Sequence, residues 1–199
     1  MQQKKKKSGL QRENILEAAA WLFKRKSYVR TSLDEVASRA GIKKATIFYY
    51  FSSKEHLLHE VLCECAKRGL ERHRSSYDPY AAPQESLAKV IKGHLIFNIR
   101  DGFGGISTFE QKNLSPGLRK SYTALRDEYE QFFREVVQKA MAAGQMRQGN
   151  PQLQARLILG MVNSVSHWFK PSLPLSIEDV GDEICKLILL ASETDNNSQ

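Results

Sequence analysis

No stretch of this chain is long and apolar enough to span a bilayer. Its most apolar segment, Leu157 to Val165, is interrupted by Gly160, Asn163 and Ser164, short of the roughly 18–20 uninterrupted apolar residues a membrane helix needs. The basic N-terminus is followed by no apolar run of the kind a secretory signal carries, so the expectation is a cytoplasmic protein without a membrane partner. Cysteine is scarce. Cys63, Cys65 and Cys185 form an odd set that excludes a disulfide framework. The compact signatures of catalysis are missing too: there is no HExxH, P-loop, Gly-rich dinucleotide turn or nucleophile elbow. Nothing pairs a nucleophile with a base, so neither an enzyme nor a cofactor is expected. Strand-like alternation does not persist beyond a few residues.

What the chain has is positive charge in one place. The net charge is +8, and residues 1–55 hold thirteen Lys and Arg against five Asp and Glu. The remaining residues balance at seventeen of each sign. A polyanion is the natural partner of such a segment, because neutralising phosphates releases counterions and drives binding.

Helical periodicity recurs from end to end. Ile15, Ala18, Ala19, Leu22 and Phe23 share one helical face, closed by Lys24-Arg25-Lys26. Ser32-Leu33-Asp34-Glu35 reads as a capping box opening a short helix with Val36, Ala37 and Ala40, and Gly41 ends it. A second short helix spans about Lys44 to Tyr50. Ser52-Ser53-Lys54-Glu55 offers another capping box, for a helix reaching about Arg74. Asp78 to Pro83 is a turn-rich connector before a helix with Leu87, Val90, Ile91, Leu95 and Ile99, which the glycine-rich segment 101–105 breaks. Ser115-Pro116 starts a long helix burying Leu118, Tyr122, Leu125, Tyr129, Phe132, Phe133, Val136 and Val137. Asn150-Pro151 starts another, stopped at Lys170-Pro171, and a last helix covers about Ile177 to Ala191. The expected fold is all-α with about nine helices.

Two short helices joined by a Gly-containing turn and packed on a preceding amphipathic helix describe a helix-turn-helix, whose second helix enters the major groove of DNA. Here Ile42, Ile47 and Phe51 fall at core positions, and Lys43, Lys44, Thr46, Tyr49 and Tyr50 look outward. Lysines neutralise phosphates or contact guanine, threonine meets a phosphate or a thymine methyl, and tyrosine hydroxyls clamp phosphates. Lys4 to Lys7 precede the expected first helix as an arm, either solvated or lying along the phosphates.

From Arg12 to Val61 the chain resembles the TetR family. The residues that carry the likeness are Ile15 to Ala19, Phe23, Thr31 to Ala37, Ala40-Gly41, Ala45 to Phe51 and Ser53 to Leu58. The resemblance implies a homodimer on a palindromic DNA operator and a helical C-terminal ligand domain. By position it implies DNA contacts from Thr31, Lys43, Lys44, Ala45, Thr46, Phe48, Tyr49, Tyr50 and Lys54. Many members have tyrosine where this chain has Phe48, which removes a phosphate hydrogen bond there. The expected division is an arm (1–9), a DNA-binding domain (10–55), a ligand-binding and dimerisation domain (56–194) and a tail (195–199).

In the C-terminal half, Leu157, Met161, Val165 and Trp168 make one apolar stripe and Leu153, Ile158, Val162 and Phe169 another. The last helix is similar, with Ile177, Val180, Ile184, Leu187, Ile188, Leu189 and Leu190. A helix apolar on two sides must be covered on two sides, by its own core and by a partner subunit. Aromatic and polar residues mixed along the inner helices are the candidate ligand contacts: Phe97, Phe103, Phe109, Tyr122, Arg126, Tyr129, Phe133, Asn163, His167 and Trp168. Residues 163–175 look like the corresponding region of TetR regulators that sense acyl-CoA thioesters. The expected function is therefore a repressor released by an apolar or amphipathic effector of the acyl-CoA kind. Open alternatives are a multidrug sensor and a ligand-independent DNA-binding protein. A metal site at His56, His59 and Cys63 is the remaining rival, disfavoured because Cys65 points elsewhere; no metal is expected.

Overall fold

A computed structural model describes residues 2–106 and 108–189, with residues 2–7 and 108 described by their backbone alone. The described residues form eight α-helices: α1 (Gln2–Lys26), α2 (Leu33–Arg39), α3 (Lys44–Tyr50), α4 (Lys54–Ser76), α5 (Pro83–Arg100), α6 (Pro116–Ala142), α7 (Pro151–Trp168) and α8 (Ile177–Ile188). A short 3₁₀ helix, Thr108–Asn113, lies between α5 and α6. Among the described residues the nearest thing to a strand is one antiparallel bridge between Met146 and Leu189. Among the described residues no helix is long and apolar enough to cross a membrane.

The chain folds as two compact units. One comprises the residues up to Arg68 with Gly102–Arg126; the other comprises Gly69–Asp101 with the residues from Asp127 onward. A single boundary after residue 55 thus gives way to a discontinuous division. The physical reason is in the first core, where Phe103, Ile106, Leu114 and Tyr122 are buried together with Ile15, Phe23, Ile47 and Phe51.

In the first unit, α1 buries Ile15, Ala18, Ala19, Leu22 and Phe23, the face its periodicity marks out. The helix starts at Gln2, so the backbone of Lys4 to Lys7 lies in its first turns and does not precede it as an arm. At the other end Ser27 adopts φ 68° and donates its N–H to Phe23 O at 3.0 Å, the single-bond left-handed stop for a helix. The capping box of α2 is formed: Ser32 Oγ accepts from Glu35 N, and Glu35 accepts from Ser32 N at 2.8 Å. Gly41, at φ 65°, donates to Ser38 O, and Ile42 donates to Ala37 O. This two-bond closure needs a residue without a Cβ penalty, and it sets the tight turn into α3.

The capping of α4 differs from expectation. Ser53 Oγ accepts from His56 N at 3.0 Å, whereas the Glu55 carboxylate accepts from Ser115 N at 2.6 Å, at the start of α6. Glu55 is one residue too early to reach back around its own helix from an N-cap at Ser53, so it serves a neighbouring one.

In the second unit α5 packs on α7 and α8, around a core of Leu87, Val90, Ile91, Leu95, Phe133, Val137 and Val162. Asn150 caps α7, accepting from Leu153 N at 3.0 Å with Pro151 in the first turn, and Ser176 with Asp179 makes a capping box on α8. Both helices keep an apolar face outside this core. Leu157 is 63% exposed and Leu187 76%, with Leu153, Met161 and Trp168 also exposed. Leu190, Ala191 and the 195–199 tail lie outside the described residues.

The left-handed backbone at Ser27 costs a residue with a Cβ roughly 1–2 kcal/mol. Ser27→Gly is expected to raise unfolding stability by about 0.5–1 kcal/mol net of the glycine's added chain entropy, read from the midpoint of urea unfolding. A lower midpoint would show that the serine side chain stabilises the turn.

Candidate nucleic-acid interface and effector site

Helix α3 is held from behind. Ile47 and Phe51 are fully buried and Ile42 is half-buried against the same core. That leaves the opposite face open, with Lys43, Lys44, Ala45, Phe48 and Tyr49 exposed and Thr46 half-buried. Tyr49 is 79% exposed, a large ring displayed where a core-directed aromatic would be covered. Tyr50 is half-buried, within 3.2 Å of Ser8 Oγ through its hydroxyl and edge-on to Tyr49 with ring centroids 4.9 Å apart. Lys44 pairs with Asp34 at 2.8 Å, so its ammonium is anchored to α2. Glu35, beside it, is pulled down to about 2 by its hydrogen bonds from Lys26 and Ser32.

Thr31 and Lys54 sit differently from the rest. Thr31 is buried and its hydroxyl donates to Ser27 O at 2.8 Å, which ties the α1–α2 turn together. Lys54 lies with its ammonium 4.2 Å from the centre of the Tyr28 ring, and partial burial pulls its pKa down. Of the rival metal ligands, His59 meets Cys63 at 3.4 Å and Ser121 at 2.7 Å, while His56 turns to Ser52. Burial pushes the Cys63 thiol up to about 11, leaving it protonated.

The ten candidate effector contacts divide between the units. Phe103, Phe109, Tyr122 and Arg126 belong to the first; Phe97, Tyr129, Phe133, Asn163, His167 and Trp168 belong to the second. Phe103 and Tyr122 are buried, Arg126 is partly buried, and Phe109 is 79% exposed. The Arg68 guanidinium stacks 4.2 Å from the centre of the Phe103 ring, beside a recess of about 380 Å³ that Trp21 and Arg39 also line. In the second unit His167 and Trp168 point to the surface at the end of α7. Phe97 and Phe133 are buried.

Tyr129 and Asn163 do come together, through a residue the sequence pattern did not single out. His94 of α5 is within 2.5 Å of the Tyr129 hydroxyl through Nδ1, and within 2.8 Å of Asn163 Oδ1 through Nε2. His73 of α4 reaches His94 Nδ1 at 3.0 Å through Nε2. Asn98, one turn after His94, donates to Asn163 Oδ1 at 3.0 Å. His73, His94 and Asn98 are all buried, and His73 is surrounded by the rings of Tyr129, Phe132 and Phe133. Gly69 lets this happen: a Cβ there would sit 2.8 Å from the Tyr129 ring. The signal for two of the three missed residues was His94 and Asn98 at i, i+4 on the buried side of α5; His73 carried none.

Comparison with known proteins follows from this geometry. The family model for the C-terminal domain of Tetracyclin repressor-like proteins matches residues 80–191, and the model for bacterial regulatory proteins of the tetR family matches residues 15–61. The chain belongs to the TetR family. Among relatives of this TetR-family chain, the transcriptional repressor KstR2 of Mycolicibacterium smegmatis is 26% identical over 184 residues, covering 89% of this chain and 88% of that protein. The TetR-family regulator PfmR from Thermus thermophilus superposes with a TM-score of 0.75 at 30% identity, over 87% of this chain and 95% of that one. AibR, solved in complex with isovaleryl coenzyme A and operator DNA, superposes with a TM-score of 0.76 at 26% identity, over 89% and 97%. The all-helical expectation and the helix-turn-helix of this TetR-family chain both hold.

Burial pushes His94 down from its usual 6.5 to about 4, and pushes His73 well below the same value, helped by His94. The unfolded chain therefore takes up protons near pH 6.5 that the folded chain refuses until about pH 4. Acidification through that window favours unfolding, by up to about 1.4 kcal/mol per pH unit for each histidine. Urea midpoints should fall steadily from pH 6.5 downward, and His94→Phe should flatten the slope. A slope unchanged by that substitution would mean other groups carry it.

Proposed function

We propose that this protein is a dimeric transcriptional repressor which holds operator DNA through α2 and α3 and releases it when an amphipathic effector of the acyl-CoA class occupies the second unit. It acts in the cytoplasm, as a binding protein and not as a catalyst. The observation that carries the DNA-binding half is α3: Ile47 and Phe51 anchor one side while Lys43, Lys44, Phe48 and Tyr49 project from the other. Projecting cations and flat groups on a rigidly backed helix suit a groove lined by phosphates and base edges. The complex of AibR with isovaleryl coenzyme A and operator DNA supports the pairing of these two ligand classes.

Thr31 has a supporting role on this reading, because its hydroxyl is committed to the α1–α2 turn. Lys54 reaches a phosphate after leaving the Tyr28 ring. Dimerisation uses the apolar faces of α7 and α8 that the second unit leaves uncovered. A two-fold axis would bring Leu157, Met161 and Leu187 against their own copies, as a self-complementary patch requires.

Two outcomes follow. On duplexes selected from a random library by the protein itself, Tyr49→Ala should weaken binding by roughly 1–3 kcal/mol. Lys43→Ala should lower the slope of log affinity against log salt by about 1. Fluorescence anisotropy across a salt series checks both, and unchanged binding in the two variants would overturn the assignment of α3. The same complexes, titrated with acyl-CoAs and with unrelated apolar drugs, test induction. Release by drugs alone would make the protein a multidrug sensor, and release by nothing would make it a ligand-independent DNA-binding protein.

For assembly, Leu187→Glu should give a folded monomer in sedimentation velocity, because that side chain is 76% exposed within the chain. Val162→Glu should instead unfold the second unit, because Val162 is fully buried and a lone charge there has no partner. A Leu187→Glu protein that remains dimeric would move the interface elsewhere.

A further inference from the structure

Two arginines line the recess of the first unit, and they are not alike. Arg68 lies with its guanidinium 4.2 Å from the centre of the Phe103 ring, and its N–H edge is taken by Glu13 and, at 2.8 Å, by Glu64. Arg39, the last residue of α2, lies 3.5 Å from the centre of the Trp21 ring. Stacking uses the face of a guanidinium and leaves its N–H edge for hydrogen bonds. Among the described residues no carboxylate takes that edge of Arg39. A second cation, Arg25, lies 4.7 Å from the centre of the same indole. The recess also presents acceptors. Asn14, Glu17 and Trp21 follow one another at helical spacing on one face of α1. The Asn14 amide nitrogen donates to Ala40 O at 2.9 Å, which leaves its Oδ1 to accept. Glu17 pairs neither with Arg39 nor with another cation among the described residues. A cation and a carboxylate thus line one cavity without closing on each other, and buried Ala18 and Phe103 supply its apolar part.

We propose that this recess is a binding site for a free α-amino acid with a bulky apolar side chain, separate from the effector site of the second unit. The ligand's carboxylate accepts from the N–H edge of Arg39. Its ammonium donates to the Glu17 carboxylate and to Asn14 Oδ1, and its side chain lies on Ala18 and Phe103. The demand for both charges excludes simpler occupants. A fatty or aromatic acid satisfies Arg39 but sets its own charge beside Glu17, and an amine does the reverse. A nucleotide has a phosphate and N–H donors, but sugar and base hold them far apart. In an amino acid one carbon separates the two charged groups. That suits Glu17 and Trp21, whose i, i+4 spacing puts their Cβ atoms roughly 5–6 Å apart, with Arg39 lying on the indole. The cavity, about 380 Å³, falls within the range of small-molecule pockets, about 300–1,000 Å³, and has room for an aromatic or leucine-sized side chain. Glu17 and Arg39 are both exposed to water, which keeps the expected Kd near about 1 mM. An occupant bridges α1 and the last turn of α2, next to the turn that leads into α3.

The test is ligand-observed NMR titration of the full-length protein with two sets of probes. One set is phenylalanine, 2-phenylethylamine, which lacks the carboxylate, and 3-phenylpropionate, which lacks the ammonium. The other is leucine, 3-methylbutylamine and 4-methylpentanoate. In at least one set the amino acid should bind at least about tenfold more tightly than either fragment, the loss of one charge-assisted hydrogen bond. Arg39→Gln should bring the amino acid down to the level of its amine, and Glu17→Gln should bring it down to the level of its acid. General loosening of the fold would not produce that crossed pattern. Gly102 lines the recess, and a Cβ there meets nothing within 4 Å, so Gly102→Leu should fill the space and abolish binding. If a variant fails to fold, the wild-type ratios alone decide. Fragments that bind as well as the amino acid in both sets overturn the site, as does affinity left unchanged by Arg39→Gln and Glu17→Gln or by Gly102→Leu. Binding of none of the six probes overturns it too. A salt slope of DNA binding lowered by about 1 in Arg39→Gln would then assign that side chain to a phosphate.

Discussion

A seven-residue helix is not stable by itself in water, because nucleation is costly and too few hydrogen bonds follow to repay it. Helices α2 and α3 are each seven residues long. They persist because each surrenders one face to α1: Val36 and Ala37 from α2 and Ile47 from α3 join Ile15, Ala19 and Phe23 in one core. That dependence also makes the opposite faces usable. A side chain such as Tyr49 can stay at the surface in a fixed direction only because its helix cannot roll, and the helix cannot roll because Ile47 and Phe51 are fully enclosed. The capping box at Ser32 and the glycine closure at Gly41 hold the two helices in register around their turn. The basic surface is thus a consequence of apolar packing beneath it.

The local chemistry of the helix ends was largely legible. Capping by Ser32, Asn150 and Ser176 depends on residues a few positions apart, and such short-range geometry is written directly in the order of residues. The same holds for the buried stripe of α1 and for the two-sided character of α7. Less legible was anything that depends on distant partners. Glu55 reads as a capping residue of its own helix, yet its carboxylate serves Ser115, sixty positions on. The run Lys4 to Lys7 reads as an arm, yet the backbone there continues α1, since nothing in it breaks a helix.

The positions of the candidate effector residues were only partly legible. Aromatic residues at helical spacing mark an interior without saying which of them face a ligand: Phe97 and Phe133 are buried, while His167 and Trp168 are at the surface. Tyr129 and Asn163 were recognisable as polar groups on inward-facing helices. His73 was not, because a single histidine in a helix carries no periodic signal, and the i, i+4 pair His94 and Asn98 does not reveal that its partners Tyr129 and Asn163 come from α6 and α7.

The contact at Gly69 has a mechanical meaning. The Tyr129 ring rests there on the bare main chain of α4, with no side chain between them. A side chain is compliant, and it absorbs a push by changing rotamer; a hydrogen-bonded main chain cannot. The joint is therefore unyielding on the α4 side: only the tyrosine's own rotamer is left to give, and any side chain placed at position 69 would have to displace the ring.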